Sequence, residues 1–122
     1  MTLTVPAKQE WALVLRMATS GVGALYNLPL DLMDDLCTAV EESCDLLLHQ
    51  RYQPEALLLS CERREEGLVV SLSAQGEAAN VLEEPADADV AQLIIETLVR
   101  EVALDQDEGG VRRVRMTLPA GG

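Results

Sequence analysis

The chain has 122 residues, enough for one compact domain spanning 1–122 and too few for two ordinary ones. It carries 21 acidic against 9 basic residues, a net charge of −12, with one Trp, two Tyr and no Phe. So acidic a chain is repelled by phosphate backbones and anionic lipid, and so few aromatics leave little for unpaired bases to stack on. Nucleic acid and membrane surfaces are therefore not expected as partners. Proteins with basic patches, metal ions, or ligands held by local groups that overcome the overall field are.

No apolar run reaches the ~18 to 20 residues of a membrane-spanning helix. Met1 to Pro6 shows no positive charge followed by an apolar stretch, so no signal peptide is expected and the expected compartment is the cytoplasm. Cys37, Cys44 and Cys61 are odd in number and lack C-x-x-C spacing. In that compartment they are expected as reduced core thiols rather than as metal ligands or a disulfide.

Thr2 to Val5 alternates polar and apolar residues and predicts a short edge strand, stopped by Pro6, which can open a helix. From Ala7 to Leu25 the residues Trp11, Val14, Leu15, Ala18, Val22 and Leu25 recur at spacings of three and four, predicting one apolar helix face. After Asn27-Leu28-Pro29 a second helix is expected to about Arg51. Its inward stripe is Met33, Leu36, Cys37, Val40, Cys44, Leu47 and Leu48, and its outward face is Asp31, Asp34, Glu41 and Asp45. Ala56 to Arg63 and Leu68 to Ala74 read as a hairpin around Glu65-Glu66-Gly67. Gln75 to Asp87 reads as a loop. A third helix is expected from Asp87 to Val102, with Val90, Ile94, Leu98 and Val102 in line and Asp87 or Asp89 as cap. Ala103 to Asp107 and Val111 to Leu118 form a last hairpin, and Pro119 to Gly122 a frayed tail.

The order is thus β-α-α-β-β-α-β-β. It predicts an α+β fold, a two-layer α/β sandwich in which three helices cover one face of a mixed, mostly antiparallel sheet.

The second helix, Asp35-Leu36-Cys37-Thr38-Ala39-Val40-Glu41-Glu42-Ser43-Cys44-Asp45-Leu46-Leu47-Leu48-His49, resembles the N-box helix of the GHKL ATPase fold, in the branch of anti-sigma factor serine kinases. The Pro6-Ala7 opening, the Leu57 to Ala74 hairpin and the Glu96 to Met116 ending resemble the same branch, so the likeness covers nearly the whole chain. It implies the histidine-kinase-like ATPase fold, serine protein kinase activity with ATP and Mg²⁺, and a sigma factor or an anti-sigma-factor antagonist as partner. It also implies a homodimer formed through the sheet.

In that family a Glu acts as general base and an Asn one helical turn later binds Mg²⁺, since residues i and i+4 share a helix face. Glu42 stands at the Glu position, but Leu46 stands at the Asn position and offers no oxygen to a hard cation. The family's D-x-G turn, whose Asp accepts from the adenine amino group, is here Ala74-Gln75-Gly76: the glycine is kept and the acceptor is gone. The glycine-rich turn that receives phosphates before the last helix is here Asp87-Ala88-Asp89, with two carboxylates and no glycine. The stretch from Gly76 to Asp87, where the family carries its ATP lid, is short. The resemblance with these departures implies a regulatory protein that has lost ATP binding, keeps Glu42 as an idle carboxylate, holds no metal or cofactor, and acts by binding proteins. An active serine protein kinase is the alternative, and a small-molecule sensor or scaffold on the same fold is a second.

Each remaining feature has an ordinary reading beside a functional one. Leu46 is expected to fill or cover a former nucleotide pocket, or else to line an apolar one. His49 suits the negative end of the second helix. Arg112, Arg113 and Arg115 are expected to pair with neighbouring acids rather than to contact a partner. Glu83, Glu84, Asp87 and Asp89 lack the spacing of a calcium loop and are expected to be solvated.

Overall fold

Pro29 cannot continue a helix in its N-terminal direction but readily precedes one, and the longest helix begins directly after it. This is α2, Leu30–Leu48, with six acidic residues and no basic one in its sequence. Leu36, Cys37, Val40, Cys44, Leu47 and Leu48 are buried as the sequence predicts, and so are Ala39, Ser43 and Leu46 on the adjoining flank. A helix buried over so wide an arc has neighbours on both sides. They are α1, Ala12–Leu25, and α3, Ala88–Leu98, both of which pack against α2. The structure, a computed structural model, describes residues 1–77 and 85–119.

Five strands lie under the helices: β1 Thr2–Pro6, β2 Ala56–Arg64, β3 Gly67–Gln75, β4 Glu101–Asp107 and β5 Gly110–Leu118. Their order across the sheet is β1-β2-β3-β5-β4. Every neighbouring pair is antiparallel, so the sheet is not mixed as the sequence suggested. The crossover through α3 enters β4 two places from β3, leaving a gap of one strand. The tight β4–β5 hairpin then folds β5 back into the gap, which makes β5 antiparallel to both. The fold is α+β in two layers, with the buried residues Leu57, Leu59 and Cys61 of β2, Leu68, Val70 and Leu72 of β3, and Val114 and Met116 of β5 facing the helices. All three cysteines are buried and unpaired by disulfides, as expected.

Several boundaries differ from expectation, each for a local reason. Pro6 is the last residue of β1 opposite Ala56, which an edge strand permits because no ladder partner needs its missing N–H. The segment after it forms a single 3-10 turn, Gln9–Trp11, before α1 begins. The buried face of α1 is Leu15, Thr19, Val22 and Gly23, so the predicted stripe is rotated: Val14 is 39% and Leu25 77% exposed. The second helix stops at Leu48 rather than Arg51. The third stops at Leu98 because Val99 is already extended and Val102 pairs with Met116. The β-branched valines follow the sheet rather than the helical period. Within α3 only Ile95 is buried, while Val90 and Ile94 of the predicted line are exposed. The expected lid and the carboxylates Glu83 and Glu84 fall in 78–84, outside the described residues, and most of the expected tail falls in 120–122.

Candidate functional site

The residues singled out by the family likeness lie on three elements: α2, the end of β3, and the entry to α3. Glu42 and Leu46 are one turn apart on α2. Glu42 is half-buried, whereas Leu46 is buried at 2% exposure, a full leucine's worth of apolar surface taken from water, about 1.5–3 kcal/mol. Ala74 pairs with Leu57 across the sheet and is half-buried on the helix-facing side. Leu46 belongs to the core cluster against which Ala74, Ala86, Ala88 and Ala91 pack. Leu46, Ala74 and the entry of α3 therefore border one continuous apolar core.

Gly76 adopts a left-handed backbone, φ 72°, which a glycine takes without strain. The Glu55 carboxylate covers it, since a Cβ there would come within 2.9 Å of Glu55 Oε2. Glu55 is itself fixed by its backbone, its N–H donating to Gln75 O at 2.9 Å and its carbonyl accepting from Ala7 N at 3.2 Å.

At α3 the expected cap is Asp87. Its Oδ1 accepts from the N–H of Asp89 at 2.9 Å and of Val90 at 3.3 Å. Those are the free donors of the first helical turn, the groups an anion would otherwise use. Asp89 is exposed and adds a second negative charge there. The approach to α3 is tied to the end of α2 by Ala86 N donating to His49 O at 2.7 Å. His49 Nδ1 lies 2.7 Å from Asp45 O and 3.4 Å from its carboxylate, so this histidine serves its own helix end.

No local sequence pattern points to Gln50, yet it is buried and links two layers. Its Nε2 donates to Leu46 O at 2.7 Å, and its Oε1 accepts from Val111 N at 2.8 Å. Beside it a cavity of about 410 Å³ opens between Arg51, Ala86, Ala88, Gln106 and Gly109. That space is where a small ligand would find room, but its lining does not include Glu42, Leu46, Ala74 or Gly76.

The arginines are paired with acids, as expected. Arg112 bonds Asp107 Oδ2 at 2.9 Å and Glu77 at 2.7 Å, Arg113 bonds Asp105 at 2.6 Å, and Arg115 lies 4.0 Å from Glu66. Arg113 and Arg115 share the sheet face opposite the helices with Ser60, Ser71 and Ser73, around a shallow hollow of about 280 Å³. The Asp107 carboxyl is held below the usual aspartate range chiefly by the N–H of Gly109, with Arg112 adding to it. Burial pushes the Cys44 and Cys61 thiols up to about 11.

No family model matches the chain, and no curated protein matches it in sequence. No described helix is long and apolar enough to cross a membrane.

Proposed function

We propose that the chain is a cytoplasmic relative of the anti-sigma factor serine kinases on the GHKL fold, one that has lost nucleotide binding and acts by holding a protein partner. That partner is a sigma factor or an anti-sigma-factor antagonist. The observation that carries this reading is the Asp87 carboxylate seated on the Asp89 and Val90 N–H groups, where the family's nucleotide would place phosphate. Burial of Leu46 at the position of the family's Mg²⁺ ligand supports it, because the hard cation has no side-chain oxygen there. The half-buried Glu42 then has no positioned substrate from which to take a proton.

A kinase reading has its own support in Glu42 on α2 and in the left-handed turn kept at Gly76. A phosphoryl-transfer assay with labelled ATP and Mg²⁺ on purified candidate antagonists separates the two. The binding-protein reading expects stable complexes with no labelled product. Labelling that depends on Glu42, lost in Glu42→Gln, overturns it.

A further inference from the structure

In a globular domain a helix shows charged or polar residues on the side away from the core. Helix α1 does not. Arg16 is its one charged residue, and Arg16 is turned toward α2, where its Nη1 meets Glu41 Oε1 at 2.7 Å. Its outer side is Leu13, Met17, Gly21 and Ala24, spaced at three and four, with Val14 and Leu25 beside them. Leu13 and Met17 are each 64% exposed. Leu30, at the start of α2, is exposed as well. An apolar side on a helix of this length marks a surface that is covered when the protein works.

The neighbouring ridge says what covers it. The helices are locked side by side by Arg16 to Glu41 and by Ser20 Oγ to Cys37 Sγ at 3.2 Å. The exposed side of α2 then runs alongside with Asp31, Asp34 and Asp45, and α2 holds no cation of its own. A second copy would set one carboxylate ridge against another, in a chain already at −12. A helix that is apolar on one side and basic along its flank satisfies both ridges at once, the apolar side on Leu13 and Met17 and the lysines or arginines on the aspartates. The unbranched Met17 can adjust to the side chains it meets.

We infer that the outer face of α1, with the acidic ridge of α2 beside it, is a docking groove for a basic amphipathic helix of a partner protein. The inference rests on the binding-protein reading and deepens it, moving the contact from the former nucleotide side to the α1 side.

The test uses the intact chain and a fluorescent peptide of about 18 residues, leucine on one side and lysine on the other, with a twin carrying glutamate for lysine. The lysine peptide is expected to bind and the glutamate twin not. Met17→Glu and Leu13→Glu, both exposed and so compatible with folding, are each expected to weaken binding about tenfold or more. Asp34→Asn is expected to lower affinity less and to flatten its dependence on salt. Leu93→Glu, on the outer side of α3, is expected to stay within about twofold of the parent. Absence of peptide binding, equal binding of the twin, or equal losses from Leu93→Glu and Met17→Glu would overturn the groove. So would a dimer in sedimentation that Met17→Glu splits, since the face then belongs to a second copy. ATP titration of the same samples keeps the two failures apart: Mg-dependent ATP binding removes the underlying reading, whereas silence toward both ATP and peptide removes the groove alone.

Discussion

Gln50 and Val111, 61 positions apart in the chain, are joined by a 2.8 Å hydrogen bond from the Val111 N–H to the Gln50 Oε1. The same side chain donates to the Leu46 carbonyl, so one buried amide holds the end of α2 to the start of β5. Gly110 must be a glycine beside it. Its φ is 114°, and a Cβ there would overlap Gln50 Oε1. Replacing Gln50 by Leu leaves the Val111 N–H buried without an acceptor, a cost of about 1–3 kcal/mol. Urea unfolding of Gln50→Leu should show that loss. A change below about 0.5 kcal/mol, the scale of an ordinary surface substitution, would mean the amide is not a tie.

The role of Asp87 as a cap is separable from any role in ligand binding. Asp87→Ala removes the acceptor for two first-turn N–H groups and should cost about 1 kcal/mol of stability. Thermal unfolding of the variant checks this. Unchanged stability would leave the carboxylate free for another purpose.

Leu46 is a packing residue in this structure. Leu46→Ala should cost about 2–5 kcal/mol, the range for a fully buried leucine. Leu46→Asn should be destabilised as well and should not acquire Mg-dependent ATP binding by itself, because Ala74 and Asp87 still lack the other contacts. A stable Leu46→Asn protein that binds ATP would show an open pocket behind Leu46.

Two pH effects follow from the shifted groups. The Asp107 pKa is lowered by the Gly109 N–H and by Arg112, so its native state binds fewer protons than the unfolded chain. Its contribution is present above the ordinary aspartate value of about 3.9 and is lost as pH falls through the depressed value. Asp107→Asn should remove that part of the acid dependence. The thiols run the other way. With Cys44 and Cys61 raised to about 11, stability is intact below the free-thiol value of about 8.5 and declines as pH rises from there toward 11. Under native conditions at neutral pH both should resist a thiol reagent until the chain unfolds. Rapid stoichiometric labelling would contradict their burial.

The element order and the inward stripe of α2 were legible because apolar spacing there is long and unbroken. The hairpins were legible from Glu66-Gly67 and Gly109-Gly110, where β3 and β5 begin with glycine or directly beside it. The faces of α1 and α3 were not. In α1 apolar residues occupy both the inner and the outer side, so the period cannot choose which of them meets the core, and Val14 and Leu25 of the predicted stripe are exposed. In α3 the valines at 99 and 102 continue the helical spacing, but strand pairing with β5 outweighs it. Of the candidate site, residue type alone shows that Leu46 and Ala74 carry no side-chain oxygen. The contacts of Gln50 and of Glu55 over Gly76 depend on which distant segments meet, and no local pattern announces them.

The most direct measurement is calorimetric titration of the purified chain with ATP and with ADP, in the presence and absence of Mg²⁺. With Asp87 seated on the α3 N-terminus and Leu46 buried where the proposed reading would need a metal ligand, no heat of binding is expected up to millimolar nucleotide. Micromolar binding that requires Mg²⁺ would contradict the proposed binding-protein reading and favour the kinase one.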